Sequence, residues 1–194
     1  LRELQKRGQQ VIQLEELAHH KGSAFGDLGQ EPQPSNEQFE NNLYKIWRQL
    51  DPGKPVWIED ESRGIGKISI PETLFVNMRS GRVLFIDVPK EIRIQRLVKE
   101  YAGFEKKILI AAVHRITKRL GGLNAKLAEE AILRNDFATA AAILLIYYDK
   151  NYYKGLGLRD QDLVHTIATE TGDPGKNAEL LLGYNDMIKS RAAS

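Results

Sequence analysis

The chain has 194 residues, 42% hydrophobic and 28% charged, with Gly 16 and Pro 7; this is the balance of an ordinary soluble globular protein, and it excludes disorder for the bulk of the chain. The longest uncharged apolar run, Phe137 to Tyr148, covers about 12 residues, well short of the roughly 20 that a bilayer-crossing helix needs. The absence of cysteine excludes disulfides, thiolate nucleophiles and sulfur-ligated zinc together, and a net charge of +2 neither demands nor excludes a nucleic acid partner.

In chain order, Leu1 to Arg7 is a polar, helix-favouring stretch closed by Gly8. It carries neither methionine nor a signal peptide, so a truncated N-terminus is expected. Val11 to Leu14 is a short buried strand. Residues 18 to 36 hold three glycines and two prolines and form a loop, and Asn36 starts a helix through about Leu50 whose apolar stripe is Phe39, Leu43, Ile46 and Leu50. Asp51-Pro52-Gly53 ends it. Val56-Trp57-Ile58 is a second strand, and Val83 to Val88, between Gly81 and Pro89, a third. From Lys90 the pattern is helical, with breaks at Gly121-Gly122 and Asn135-Asp136. Leu163 to Ala168 reads as a fourth strand or a helical turn, and Ala178 to Ser190 as a closing helix. The expected architecture is α/β: a parallel sheet with helices on both faces and a helical subdomain, divided into residues 1–100, 101–160 and 161–194.

Four segments carry chemistry. The strand Val56 to Ile58 runs into Glu59-Asp60-Glu61 and then Ser62-Arg63-Gly64. Ligands gather at the carboxyl ends of parallel strands, where carboxylates hold magnesium or orient water beside phosphates. Glu59, Asp60, Glu61 and Arg63 are therefore candidate catalytic residues, with Glu59 and Asp60 as candidate Mg2+ ligands; the alternative is a solvated strand exit with an Arg63 ion pair. The second segment, His19 to Gly26, places His20, Lys21, Gly22 and Ser23 in a glycine-containing loop able to approach an anion. Two adjacent histidines alone are a weak zinc signal, and an anion loop is the better reading.

The third segment is electrostatic. Between Lys90 and Arg119 stand nine basic residues (Lys90, Arg93, Arg96, Lys99, Lys106, Lys107, Arg115, Lys118 and Arg119) against Glu91, Glu100 and Glu105. Such a block suits a phosphate backbone, with Lys106, Lys107, Arg115, Lys118 and Arg119 as candidate RNA contacts. Arg93 and Arg96, following a strand end, are candidates for a nucleotide or substrate phosphate. A solvated helix face with i,i+4 pairs is the competing account. The fourth segment, Tyr147-Tyr148-Asp149-Lys150-Asn151-Tyr152-Tyr153-Lys154, either stacks bases or plugs the end of a helical bundle, the latter being the first choice.

Five blocks together carry a resemblance: Gln10 to Glu15, Ala18 to Gly26, Gln33-Pro34-Ser35 with Phe39-Glu40-Asn41, Ile58 to Gly66, and Tyr147-Tyr148-Asp149 with Tyr152. In this order and spacing they resemble the carboxyl-terminal P-loop domain of the tRNA 2-selenouridine synthase family. Lys21 stands where the family motif carries arginine, which keeps the charge but lacks the bidentate fork. The resemblance implies a P-loop NTPase-like fold, a cytoplasmic bacterial enzyme, a Walker A loop before Leu1, and an upstream rhodanese-like domain bearing the selenium-carrying cysteine. It implies conversion of wobble 2-thiouridine to 2-selenouridine in tRNA through a geranylated intermediate, with geranyl diphosphate and selenophosphate as co-substrates. On that reading this domain binds tRNA and a phosphorylated donor. A P-loop nucleotide hydrolase or small-molecule kinase is the alternative, and a passive tRNA-presenting module a third.

Overall fold

The structure, a computed structural model, describes residues 1–192. Cα packing divides the chain into two units: one contains Leu1–Val83 with the segment from Pro174 onward, the other Leu84–Asp173.

In the first unit, α1 (Arg2–Lys6) leads to β1 (Gln10–Ile12), α2 (Leu14–Ala18) and α3 (Asn36–Trp47). Then come β2 (Val56–Ile58), β3 (Gly64–Ile65), β4 (Ile68–Ser69) and α4 (Glu72–Ser80), and the unit is completed by α9 (Pro174–Ala192). Strands β1 and β2 are parallel, with Val11 opposite Trp57 and Ile12 opposite Ile58. Because successive strand residues face opposite ways, this register sorts the unit into two cores. Val11 and Trp57 pack with Leu4, Ala178, Leu181 and Leu182 of α1 and α9. Ile12 and Ile58 pack with Leu14, Ala18, Phe39, Leu43 and Met78 of α2, α3 and α4. Helices thus cover both faces of the parallel pair, which leaves little apolar strand surface in water.

Local signals explain the boundaries. Ser35 Oγ accepts from the Gln38 N–H at 3.1 Å and caps α3, whose inward stripe buries Phe39 completely. Burial of that ring contributes about 2–3 kcal/mol. The helix stops at Trp47, three residues before Leu50, and Leu14 opens α2 instead of prolonging β1. The antiparallel hairpin β3–β4 was not legible: each strand has two residues, and the turn depends on Gly66 at φ +61°.

Strand β5 (Val83–Asp87), which belongs to the second unit from Leu84 onward, pairs with β6 (Val164–Ala168), and Thr169 N donates to Asp87 O at 3.2 Å. The choice between strand and turn at Leu163 to Ala168 resolves into both, a 3-10 turn at Gln161–Leu163 followed by β6. Between the strands lie α5 (Lys90–Tyr101), α6 (Lys106–Leu120), α7 (Gly122–Leu133) and α8 (Phe137–Gly157). α6 packs on α7, and α8 packs on both α7 and α5. Leu109, Val113 and Ile116 of α6, Ala125, Ala128 and Ala131 of α7, and Ala140 and Ala141 of α8 are all buried, and side chains as small as alanine let helices approach closely. Gly121 at φ +92° and Asn135 at φ +62° make the two turns, and Asp136 caps α8 through the Thr139 N–H at 3.1 Å.

The α/β class is therefore observed, but the single parallel sheet is not. Among the described residues there are three two-stranded pairs, one of them antiparallel. No helix among the described residues is long and apolar enough to cross a membrane.

Candidate functional site

The parallel register brings two chain segments to the same end of the β1–β2 pair. Ile12 is opposite Ile58, so Glu15 and Glu61 stand at equal offsets beyond paired residues. The two carboxyl groups lie close enough for Glu15 to raise the proton affinity of Glu61, both by its charge and by side-chain hydrogen bonding. Burial pushes Glu61 up to about 7, reinforced by the charge of Glu15, that hydrogen bond and the charge of Glu59. Glu59 is also pushed up to about 7, chiefly by burial and then by Glu15, although its Oε2 accepts the Leu14 N–H at 2.6 Å, which opposes the rise. A raised proton affinity of this kind on Glu59 and Glu61 suits a general acid or base.

The loop after α2 closes over this acidic end. His19 takes the left-handed conformation at the helix terminus, and Gly22 follows at φ +66°. A Cβ on Gly22 would stand 2.5 Å from Glu61 Oε1, so the backbone approaches the carboxyl closely because glycine has no side chain. His20 is 8% exposed; its Nδ1 accepts from the Gly22 N–H at 3.2 Å, and its ring rests against Gly26 and Gly66. Ser23 is part of the turn itself: its Oγ accepts the Phe25 N–H at 3.1 Å and its carbonyl the Gly26 N–H at 2.9 Å. Lys21 N donates to Gly26 O at 3.0 Å, and its side chain is half-buried at the loop.

Gln33 locks this loop to the β3–β4 hairpin. Its Nε2 donates to Ala18 O at 3.0 Å and Ile65 O at 2.9 Å, while its Oε1 accepts the Lys67 N–H at 2.8 Å.

The scan against family models matches residues 2–171 to the tRNA 2-selenouridine synthase AAA domain. The chain belongs to this family. Among curated proteins, a Marinobacter nauticus protein named tRNA 2-selenouridine synthase is 34% identical over 172 residues, covering 73% of this chain and 47% of that protein. Namesakes in Bdellovibrio bacteriovorus and Shewanella loihica are 43% and 35% identical, covering 49% and 59% of this chain and 26% and 36% of theirs. The chain therefore spans about a quarter to a half of the length of these relatives. No solved structure matches.

In this selenouridine synthase AAA domain the acidic triplet does not act as one group. Successive residues leaving β2 diverge: Glu59 turns to Leu14 N, whereas Asp60 is exposed and pairs with Arg79 at 3.5 Å. Glu59 and Asp60 thus have different partners, and among the described residues no group of three carboxylate or imidazole side chains is placed together as a set of metal ligands. Arg63 is exposed and forms an ion pair with Glu72 at 2.5 Å. Within the loop, Gly22 is the residue that meets Glu61, whereas Arg63 is directed to Glu72.

The second unit of the domain holds the remaining candidates. Arg93 is committed to a clasp: NH1 and NH2 donate to the two Asp149 carboxylate oxygens at 2.5 and 3.1 Å, and Nε donates to Val88 O at 3.0 Å. Arg96 is exposed on α5. Lys106 donates to Leu133 O at 2.8 Å and Lys107 pairs with Glu105 at 2.7 Å, whereas Arg115, Lys118 and Arg119 are exposed further along α6. Tyr152 and Tyr153 are 59% and 54% exposed, so only part of the tyrosine cluster packs inward. Sequence reasoning did not single out Glu15, Gln33 or Asp149 as functional. The equal offset of Glu15 and Glu61 was available as a signal only once the strand pairing was known.

Proposed function

We propose that this domain is the part of a tRNA 2-selenouridine synthase that binds tRNA and a phosphorylated donor at the carboxyl end of β1 and β2. The single observation carrying this reading is the close approach of Gly22, in the loop that also carries Lys21 and Ser23, to the Glu61 carboxyl beside Glu15 and Glu59, in a chain whose family is that of the selenouridine synthase AAA domain. Helices on both faces of a parallel strand pair agree with a P-loop-like fold.

In this reading the donor is geranyl diphosphate. The wobble thiouridine sulfur attacks its first carbon, a carbon–sulfur bond forms, the carbon–oxygen bond breaks and diphosphate leaves. The loop backbone and the Lys21 ammonium balance charge on the diphosphate. S-alkylation releases the proton on the base nitrogen, and a carboxyl near pH 7 is matched to receive it. Replacement of the geranylthio group by selenium from selenophosphate then falls to a cysteine-bearing rhodanese-like domain of the same protein, since this chain has no cysteine.

The test incubates the intact protein with tRNA carrying 2-thiouridine and geranyl diphosphate, and follows S-geranylation by mass spectrometry. Transfer in the wild type and its loss on Lys21→Ala or Glu61→Gln are expected. Nucleotide hydrolysis without transfer would instead favour a P-loop hydrolase or kinase, and tRNA binding with neither activity a passive module.

A further inference from the structure

The basic block of α6 does not behave as one surface. Lys106 and Lys107, at its N-terminal end, are engaged by Leu133 O and Glu105, while Arg115, Lys118 and Arg119 lie two to three turns later and are exposed. There α6 meets α8: Arg119 NH1 donates to the Tyr147 hydroxyl at 3.5 Å. Tyr147, Lys150 and Lys154 are spaced i, i+3, i+7 and so share one face of α8. The sequence of α6 contains no acidic residue, and the one on α8, Asp149, is neutralised by the two-pronged contact from Arg93. Among the described residues Lys118, Lys150 and Lys154 take part in no ion pair.

We propose that Lys118 and Arg119 of α6, together with Tyr147, Lys150 and Lys154 of α8, form a tRNA backbone-binding strip on the second unit. The inference rests on the tRNA reading above and assigns α8 a role beyond helix packing. Charge complementarity selects the occupant. Lysines engaged in no ion pair, as Lys118, Lys150 and Lys154 are among the described residues, release counterions when they meet phosphates, and a tyrosine beside them offers a face and a hydroxyl to ribose or base. A solvated helix face stabilised by i,i+4 pairs would carry acidic partners, and these two helices do not supply them.

The experiment measures binding of an unmodified tRNA transcript to the intact protein by fluorescence anisotropy over a series of KCl concentrations. The triple variant Lys118→Gln, Lys150→Gln, Lys154→Gln is expected to weaken binding at least about tenfold near 0.1 M salt and to lower the slope of log affinity against log salt by about two to three, one contact contributing about 0.7 to 0.9. Lys126→Gln on α7, an exposed lysine near Glu130, serves as the control and leaves both unchanged. Unchanged affinity and slope in a triple variant with wild-type circular dichroism would overturn the strip while leaving the tRNA reading intact. Failure of the wild type to bind tRNA would overturn that reading itself.

Discussion

Gly22 lies directly on the carboxyl of Glu61, close enough that a methyl group at position 22 would sit 2.5 Å from Glu61 Oε1. Two independent constraints meet at this glycine, its left-handed backbone at φ +66° and the absence of space for a side chain. The contact joins the loop to the end of β2, so local backbone geometry and the proton affinity of Glu61 belong to one arrangement.

Gly22→Ala is expected to destabilise the first unit by at least about 1 kcal/mol, because a side chain in the left-handed region costs that much before any displacement of Glu61. Urea unfolding followed by circular dichroism measures the loss. Gly8→Ala, also at positive φ but with open space around it, should cost the backbone penalty alone.

Stability should fall as pH rises from about 4.5 to about 7. Glu59 and Glu61 have folded-state values above their ordinary value of 4.5, so the folded chain holds more protons than the unfolded one in that window. Their contribution is complete below the unfolded value and disappears above the folded one. Urea midpoints at pH 5 and pH 8 read this directly, and Glu61→Gln should shrink the difference between them. An unchanged difference would mean that the pair does not retain its proton.

Gln33→Ala removes three hydrogen bonds at once and leaves the Ala18 and Ile65 carbonyls and the Lys67 N–H to find other partners. At about 1 kcal/mol each, the cost is about 2–3 kcal/mol. Hydrogen exchange should show the loop and the β3–β4 hairpin loosening together. Loosening of only one of them would disprove the coupling.

Arg93→Lys should destabilise the second unit by about 1–3 kcal/mol despite retaining the charge, because lysine cannot reproduce the fork to Asp149 and the third bond to Val88 O. A double-mutant cycle with Asp149→Asn isolates the pair. Additive losses would show that the two residues act independently.

Much of the local structure was legible. Helix α3 shows its apolar period and its Ser35 cap, β2 is an apolar triplet before acids, and Gly121-Gly122 and Asn135-Asp136 separate the helices of the second unit. The five spaced blocks pointed to the family that the comparison with family models matches. The site was legible only as two separate segments, the loop at His20 to Ser23 and the acids at Glu59 to Glu61. Nothing in either segment says that they touch.

The sequence by itself determined the elements whose signals are short-ranged: apolar periodicity, capping residues, turn glycines and the segregation of charge along the chain. Tertiary structure alone decided that β1 lies beside β2 with Ile12 opposite Ile58, and hence that Glu15 meets Glu61 while neighbouring Asp60 turns away to Arg79. It likewise decided that Arg93 is clasped by an aspartate 56 residues later. The physical reason is that a carboxyl's proton affinity and a guanidinium's availability depend on burial and on neighbours brought together through space, and residue spacing along the chain does not encode these.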